Sequence, residues 1–100
     1  MRKITKQAVA AFLNKEEFVK DNTQVSYDPI EDLSIMRLYG NLIAKKHWKG
    51  SENLWISLCG YNTRTTRERL NGFPDVSIHT KKGTPYLNGY EMISDGLVAV

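Results

Sequence analysis

The chain has 100 residues, 41% of them hydrophobic, which is enough for one small domain with one core and too little for two. Its 14 basic and 11 acidic residues give a net charge of +3, a mild surplus that is compatible with nucleic acid but does not require it. One cysteine excludes an internal disulfide, and no cluster of cysteines and histidines suits a zinc site. We therefore expect a single domain over residues 1–100 in a reducing compartment.

No targeting or membrane-spanning segment is predicted. The start Met1-Arg2-Lys3 is basic, as in a signal peptide, but polar residues interrupt the apolar run that should follow. No stretch approaches the roughly 18 apolar residues that a helix needs to span a bilayer. We expect a soluble protein that does not bind a membrane.

The first predicted element is an amphipathic helix with Thr5 as its N-cap. The helix ends somewhere between Asn14 and Lys20, where charged residues replace the apolar pattern. The residues that recur at helical spacing on its apolar side are Ala8, Val9, Ala11, Phe12 and Leu13.

Alternation with a period of two then predicts strands at residues 25–27, 34–39 and 42–48, with Gly40-Asn41 as a hairpin turn. Residues 54–59 form the most apolar segment, so we expect this strand at the centre of the sheet, with Trp55 in the core.

A C-terminal meander is predicted from two further turns. Residues 76–80 alternate, Lys81-Lys82-Gly83 turns, and residues 84–87 return before Asn88-Gly89 turns again. Residues 94–100 carry too little pattern to assign an element. The predicted fold is α+β, with the N-terminal helix packed on an antiparallel sheet of about five strands and a short arginine-rich helix between strands.

That short helix lies within residues 60–72, which hold a helix start, three arginines and a helix stop. Thr65 and Glu68 have the spacing of a capping box, which places the helix start there. Asn71-Gly72 tolerates a left-handed backbone and ends the helix after about two turns. We expect the three arginines to lie together on a small exposed surface.

This surface is the candidate binding site, because helix-start N–H groups, threonine hydroxyls and guanidinium groups all suit phosphate oxygens. Basic and aromatic residues elsewhere in the chain extend it, as in proteins that bind single-stranded nucleic acid. The alternative is that the arginines are solvated or paired and the threonines only cap the helix. The predicted partner- or phosphate-binding residues are Arg64, Thr65, Thr66, Arg67, Arg69, Lys81, Lys82, Trp48 and Tyr61.

Catalysis has little support in the sequence, because no nucleophile, base or paired carboxylates stand in a recognisable arrangement. Cys59 is expected to be a packed strand residue without an evident base nearby. His47 and His79 lie on separate strands, and two histidines without a third ligand make a poor metal site. We expect no enzyme, no metal and no cofactor.

Three stretches carry a resemblance to other proteins: Leu-Tyr-Gly-Asn-Leu-Ile-Ala at 38–44, the arginine-rich segment at 60–72, and Tyr-Leu-Asn-Gly at 86–89. In this order they resemble a group of small accessory proteins of tailed bacteriophages, over roughly residues 5 to 90. The resemblance implies expression in the cytoplasm of an infected bacterium. It carries over no site residues.

The sequence therefore predicts a non-enzymatic phage accessory protein that binds and inhibits or redirects a host protein or nucleoprotein complex, such as a defence system or the transcription machinery. One alternative is a direct nucleic-acid-binding protein that uses the arginine-rich helix. Another is a structural or virion-associated protein that associates through its sheet edges. The oligomeric state, and whether the basic residues share one face, stay open at this level.

Overall fold

The computed structural model describes residues 2–50, 53–92 and 96–100. It confirms the α+β class. The elements in chain order are α1 (Lys3–Leu13), β1 (Phe18–Lys20), β2 (Thr23–Asp28), β3 (Leu33–Leu38), β4 (Asn41–His47), β5 (Trp55–Ile56), α2 (Arg64–Leu70), β6 (Ile78–Lys81), β7 (Thr84–Leu87), β8 (Tyr90–Glu91) and β9 (Val98–Ala99).

The strands form two antiparallel sheets rather than one. The larger sheet has the order β1-β2-β3-β4-β5-β9, and the smaller sheet is the predicted meander β6-β7-β8. Strand β9 lies in the segment 94–100, for which the sequence predicted no element; residues 94 and 95 lie outside the described residues.

The prediction of a central strand at residues 54–59 is wrong. Strand β5 consists only of Trp55 and Ile56 and lies between β4 and the edge strand β9, and the chain turns at Cys59 before it reaches α2. Trp55 is also not a core residue. It pairs with Lys45 on the face of the sheet that points away from α1, and it is only half-buried.

Helix α1 packs on β2 and β3 through its apolar side, as the spacing predicts. Phe12 is fully buried and meets Phe73 edge to face, with ring centroids 4.9 Å apart. The predicted cap is wrong, since the N-cap is Arg2 and Thr5 is a fully buried residue inside the helix. The helix ends at Leu13, with Asn14 as its C-cap.

The β3–β4 hairpin turns at Tyr39-Gly40, one residue before the predicted Gly40-Asn41. Tyr39 and Gly40 have φ values of 52° and 80°, the left-handed pair that suits a two-residue hairpin, and Asn41 already pairs with Leu38. Farther along the hairpin, a bulge in β4 opposite β3 makes Ile43 the extra residue, so that Ile43 and Ala44 are both buried.

Helix α2 and the smaller sheet close one end of the core. Leu70 and Phe73 are buried there, and the side chain of Asn71 ties the end of α2 to β6. Its amide donates to the Ile78 carbonyl at 2.9 Å, and its oxygen accepts from the Ile78 N–H at 2.6 Å. This attachment sets the position of α2 relative to the β6–β7 hairpin.

Candidate functional site

Helix α2 begins at Arg64, and Thr63 is its N-cap. The Thr63 hydroxyl accepts from the Thr66 N–H at 3.2 Å and lies 3.0 Å from the Thr66 hydroxyl. The predicted capping box of Thr65 and Glu68 is therefore wrong. The carboxylate of Glu68 instead accepts hydrogen bonds from Thr5 and Arg69.

Arg69 is a structural residue in the interior, where only 1% of its surface is exposed. Its Nε donates to the Thr23 hydroxyl at 3.1 Å, and its Nη1 donates to the Thr5 hydroxyl at 2.8 Å and to Glu68 Oε2 at 3.0 Å. The guanidinium thus joins α2 to α1 and β2. The expectation that all three arginines lie on one exposed surface is wrong for Arg69, because its side chain lies on the side of α2 that packs against α1.

Arg64 and Arg67 lie on the outer side of α2, three residues apart and so on neighbouring positions of one helix face. Arg64 is exposed and forms no hydrogen bond or ion pair within the described residues. Arg67 is half-buried, and its Nη1 donates to Asn62, at 3.1 Å to the carbonyl and 2.5 Å to the side-chain oxygen. Arg67 is therefore held in place while Arg64 is available to a ligand.

Lys81 and Lys82 lie on the β6–β7 hairpin, whose first strand contacts the residues at the start of α2. The Thr80 hydroxyl donates to the side-chain oxygen of Asn62 at 3.4 Å, the same atom that accepts from Arg67. We call Arg64, Arg67, Lys81 and Lys82 the basic face. Within the described ranges, none of these four side chains forms an ion pair with a carboxylate.

A cleft of about 480 Å³ opens between the β3–β4 turn and the start of α2. Its buried floor is apolar, and two exposed tyrosines, Tyr39 at 68% and Tyr61 at 59% of their surface, lie at its walls. We call it the tyrosine cleft. Its lining residues are Leu38, Tyr39, Asn41, Ile43, Leu58, Tyr61, Thr63, Thr65 and Thr66.

Two similar tight turns frame the tyrosine cleft. Tyr39-Gly40 is the first, and Cys59-Gly60 is the second, with φ values of 51° and 77° and a hydrogen bond of 2.8 Å from the Tyr61 N–H to the Leu58 carbonyl. Cys59 is therefore a turn residue and not the strand residue that was predicted. Sequence reasoning named Tyr61 but missed Tyr39. The available signal was an aromatic residue beside glycine in a hairpin turn, where small polar residues are usual.

Trp48 does not lie at this site. It follows the end of β4 that is remote from the β3–β4 turn. The seven residues of β4 separate Trp48 from that turn by about 20 Å at the usual rise per residue. Its indole N–H donates to the Ser34 hydroxyl at 2.9 Å, and the ammonium groups of Lys46 and Lys15 lie 4.7 and 5.5 Å from its ring centroid. The predicted extension of the basic face to Trp48 is therefore wrong.

Asp32 connects Lys15, one of the two lysines beside Trp48, to Tyr27 of β2. Its carboxylate accepts from the Tyr27 hydroxyl at 2.6 Å and pairs with the Lys15 ammonium at 3.0 Å. The hydrogen bond from Tyr27, followed by the bond and charge of Lys15, holds the pKa of Asp32 below its ordinary value. The same hydrogen bond raises the pKa of Tyr27.

We predict an acid-sensitive contribution of Asp32 to stability. Because its folded pKa is lower than its unfolded pKa of about 3.9, the contribution is present above that pH and is lost as the pH falls through the folded value. Asp32→Asn should therefore flatten the pH dependence of unfolding between about pH 2 and 5. Urea titrations across this range would measure it, with the exposed Glu17→Gln as the control. An unchanged acid slope in Asp32→Asn would contradict the prediction.

In the described part of the chain, no group of three or more His, Cys, Asp or Glu residues is arranged to hold a metal ion. The thiol of Cys59 donates to the Leu42 carbonyl at 2.7 Å. No helix among the described residues has the length and hydropathy needed to cross a bilayer.

The sequence matches a known family of proteins. The family model described as Kyanoviridae Gp96 protein matches residues 1–97, nearly the whole chain. No curated protein and no solved structure shows a significant match. The family match agrees with the resemblance to phage proteins that the sequence motifs indicated.

Proposed function

Because this chain belongs to the Kyanoviridae Gp96 protein family, a family of phage proteins, we propose that it is a non-enzymatic accessory protein that binds a host protein or nucleoprotein complex and inhibits or redirects it. The proposal places its action in the cytoplasm of the infected cell.

The observation that carries the proposal is the tyrosine cleft beside the basic face. Tyrosine and arginine are over-represented among residues that dominate binding energy at interfaces. Here two exposed tyrosines flank an apolar floor, and the exposed Arg64 adjoins Thr65 of the cleft wall. The fold itself does not use these side chains for burial, which supports a role in contacting a partner.

Charge reversal tests the proposal. In Arg64→Glu/Lys82→Glu, both changed side chains are exposed, so we expect the fold to survive and partner capture to fall by at least about tenfold, the loss of about 1.4 kcal/mol or more that interface arginines often show. The measurement is a pull-down of the tagged full chain from host lysate, with and without nuclease, followed by identification and quantification of retained proteins.

The matched control is Lys3→Glu/Lys6→Glu, which changes net charge equally on the exposed side of α1. It should retain the partner. Equal capture by the two double variants would show that the basic face does not contact the partner. If the wild type captures no specific, nuclease-resistant partner, the proposed function itself is overturned.

Direct nucleic-acid binding is the second candidate function. The β6–β7 hairpin, which carries Lys81 and Lys82, favours it. Next to Lys81 on β6, His79 stacks on Tyr86, with ring centroids 5.5 Å apart and an interplanar angle of 13°. Four phosphate contacts by the basic face would give a slope of about −3 in log affinity against log salt for a single strand. Partner retention that disappears with nuclease, together with this slope for an oligothymidine, would select this candidate.

A further inference from the structure

We propose that the tyrosine cleft binds one aromatic or long aliphatic side chain of an extended acidic segment of the partner protein, whose carboxylates contact the basic face. This inference rests on the proposed function and names the chemistry of the partner.

The shape and polarity of the cleft suit a single apolar side chain. Leu38, Ile43 and Leu58 make a floor in which each residue is at most 6% exposed. The volume of about 480 Å³ lies within the range of pockets that enclose compact ligands. An aromatic or aliphatic group bound in the cleft would remove apolar surface of the floor and of the tyrosine rings from water.

The identity of residue 39 is explained by binding better than by folding. Tyr39 has a φ of 52°, a conformation in which Asn, Asp and Gly are favoured. Most other non-glycine residues with positive φ in the described chain follow that preference, namely Asp21, Asn22, Asp32, Asp75 and Asn88. Tyr39 neither suits the turn nor gains burial, so its aromatic ring is available for a contact outside the fold.

The charges around the cleft indicate which partner residues should lie on either side of the bound side chain. Asn62 lies in the chain between Tyr61 and Thr63 of the cleft, and its side chain contacts Arg67 of the basic face and Thr80, the neighbour of Lys81. Glu68, the one carboxylate on α2, lines a small cavity with Arg64 and Thr65, but its oxygens are already engaged by Thr5, Arg69 and Arg2. An acidic segment therefore complements this surface, and a basic one is repelled.

These observations favour a peptide over a nucleic acid. The buried floor of the cleft offers hydrocarbon rather than hydrogen-bond partners for base edges. The lysines at Trp48 lie about 20 Å away, at the other end of β4, and the nine residues that line the cleft include no cation to contact a phosphate.

A titration of the ¹⁵N-labelled full chain, followed by amide chemical shifts, tests the inference. The probe is a blocked ten-residue peptide of Asp, Glu, Ser and Gly with one central Phe, and the matched peptide has Ser in place of Phe. We expect the Phe peptide to shift amides of residues 40–43 and 58–63 saturably, and to bind at least about fivefold more tightly than the Ser peptide.

Two variants separate the cleft from general charge attraction. Tyr39→Asn keeps a residue that suits the left-handed turn, and with Tyr61→Ser it should weaken the Phe peptide by about fivefold or more. The control Ile30→Ser removes an exposed apolar side chain in the distant β2–β3 loop and should leave binding unchanged.

Equal binding of the two peptides, or no shifts in the cleft with either, would overturn the inference. So would tighter binding of a ten-nucleotide oligothymidine at the same amides. If the lysate experiment still captures a host protein while the peptides fail, the proposed function stands and only the partner chemistry is wrong. If the Phe peptide binds and no host protein is captured, the proposed function fails instead.

Discussion

Replacing Arg69 with methionine is expected to lower the free energy of unfolding by about 3 kcal/mol, the lower end of the effect of breaking a buried ion pair. Methionine retains apolar bulk but supplies no donor. The hydroxyls of Thr5 and Thr23 then lose their guanidinium partner in the interior, and Glu68 keeps its hydrogen bond from Thr5 but loses its closer cation, so that the 3.7 Å contact with Arg2 is the ion pair that remains. We expect a loss at the lower end of the range for buried ion pairs because the Glu68 side chain is 23% exposed and is therefore partly solvated.

Urea unfolding followed by circular dichroism would measure this loss, with Arg67→Met as the matched control. Arg67 is half-buried and, among the described residues, its side chain bonds only to Asn62, so its loss should cost about 1 kcal/mol or less. Adding Glu68→Gln to Arg69→Met should recover part of the loss, because it removes a carboxylate without its main partner. Similar losses for Arg69→Met and Arg67→Met would show that the buried network contributes little.

Replacing Gly72 with alanine is expected to lower the free energy of unfolding by about 2 kcal/mol through overpacking between the two helices. An added Cβ would lie 2.5 Å from the Thr5 Cγ2 methyl and 2.9 Å from a methyl of Val9. Both methyls belong to β-branched residues within α1, whose side chains have few alternative rotamers there. The helices must therefore move apart to accept the new group.

A double variant identifies the contact responsible. Thr5→Ser removes the nearer methyl and keeps the hydroxyl that accepts from Arg69, so Gly72→Ala should cost about 1 kcal/mol less in a Thr5→Ser background. Denaturant unfolding of the wild type, both single variants and the double variant gives this coupling directly. Strict additivity would mean that the clash is relieved elsewhere.

Both variants bear on the candidate site, because α2 carries one wall of the tyrosine cleft and half of the basic face. The α1–α2 contact through Arg69 and Gly72 fixes the inner side of that helix, and Asn71 fixes its end to β6. A folded variant with shifted α2 should therefore bind a partner more weakly even though no exposed residue has changed.

Local patterns were sufficient for much of the fold. The apolar spacing in α1, the alternation in β2 to β4 and the turn dipeptides of the β6–β8 meander all depend on neighbours within a few residues. The hairpin turn at Tyr39-Gly40 was misplaced by one residue because glycine suits either position of such a turn. The predicted cap at Thr65 failed for a related reason, since Thr63 and Thr65 have equal capping chemistry.

The candidate site was predicted only in part. Arg64, Arg67 and Tyr61 lie at or just before the start of α2, and Thr80, the chain neighbour of Lys81, contacts Asn62 beside them. Arg69 and Trp48 do not belong to it. Helical spacing alone did not show which side of a two-turn helix would face α1, and the strand pattern alone did not show that α2 would start beside the β3–β4 turn, at the end of β4 remote from Trp48.

The sequence by itself determined the class of this protein: a small α+β domain with an amphipathic first helix, a hairpin sheet, an arginine-rich short helix and a meander, carrying motifs shared with phage proteins. These features follow from local periodicity, turn chemistry and motif order. Only the tertiary structure decided that Arg69 is interior, that Tyr39 and Tyr61 line one cleft, and that the apolar segment at residues 54–59 lies near a sheet edge. Burial and strand neighbours depend on contacts between residues far apart in the chain, and those contacts form only when the whole core packs.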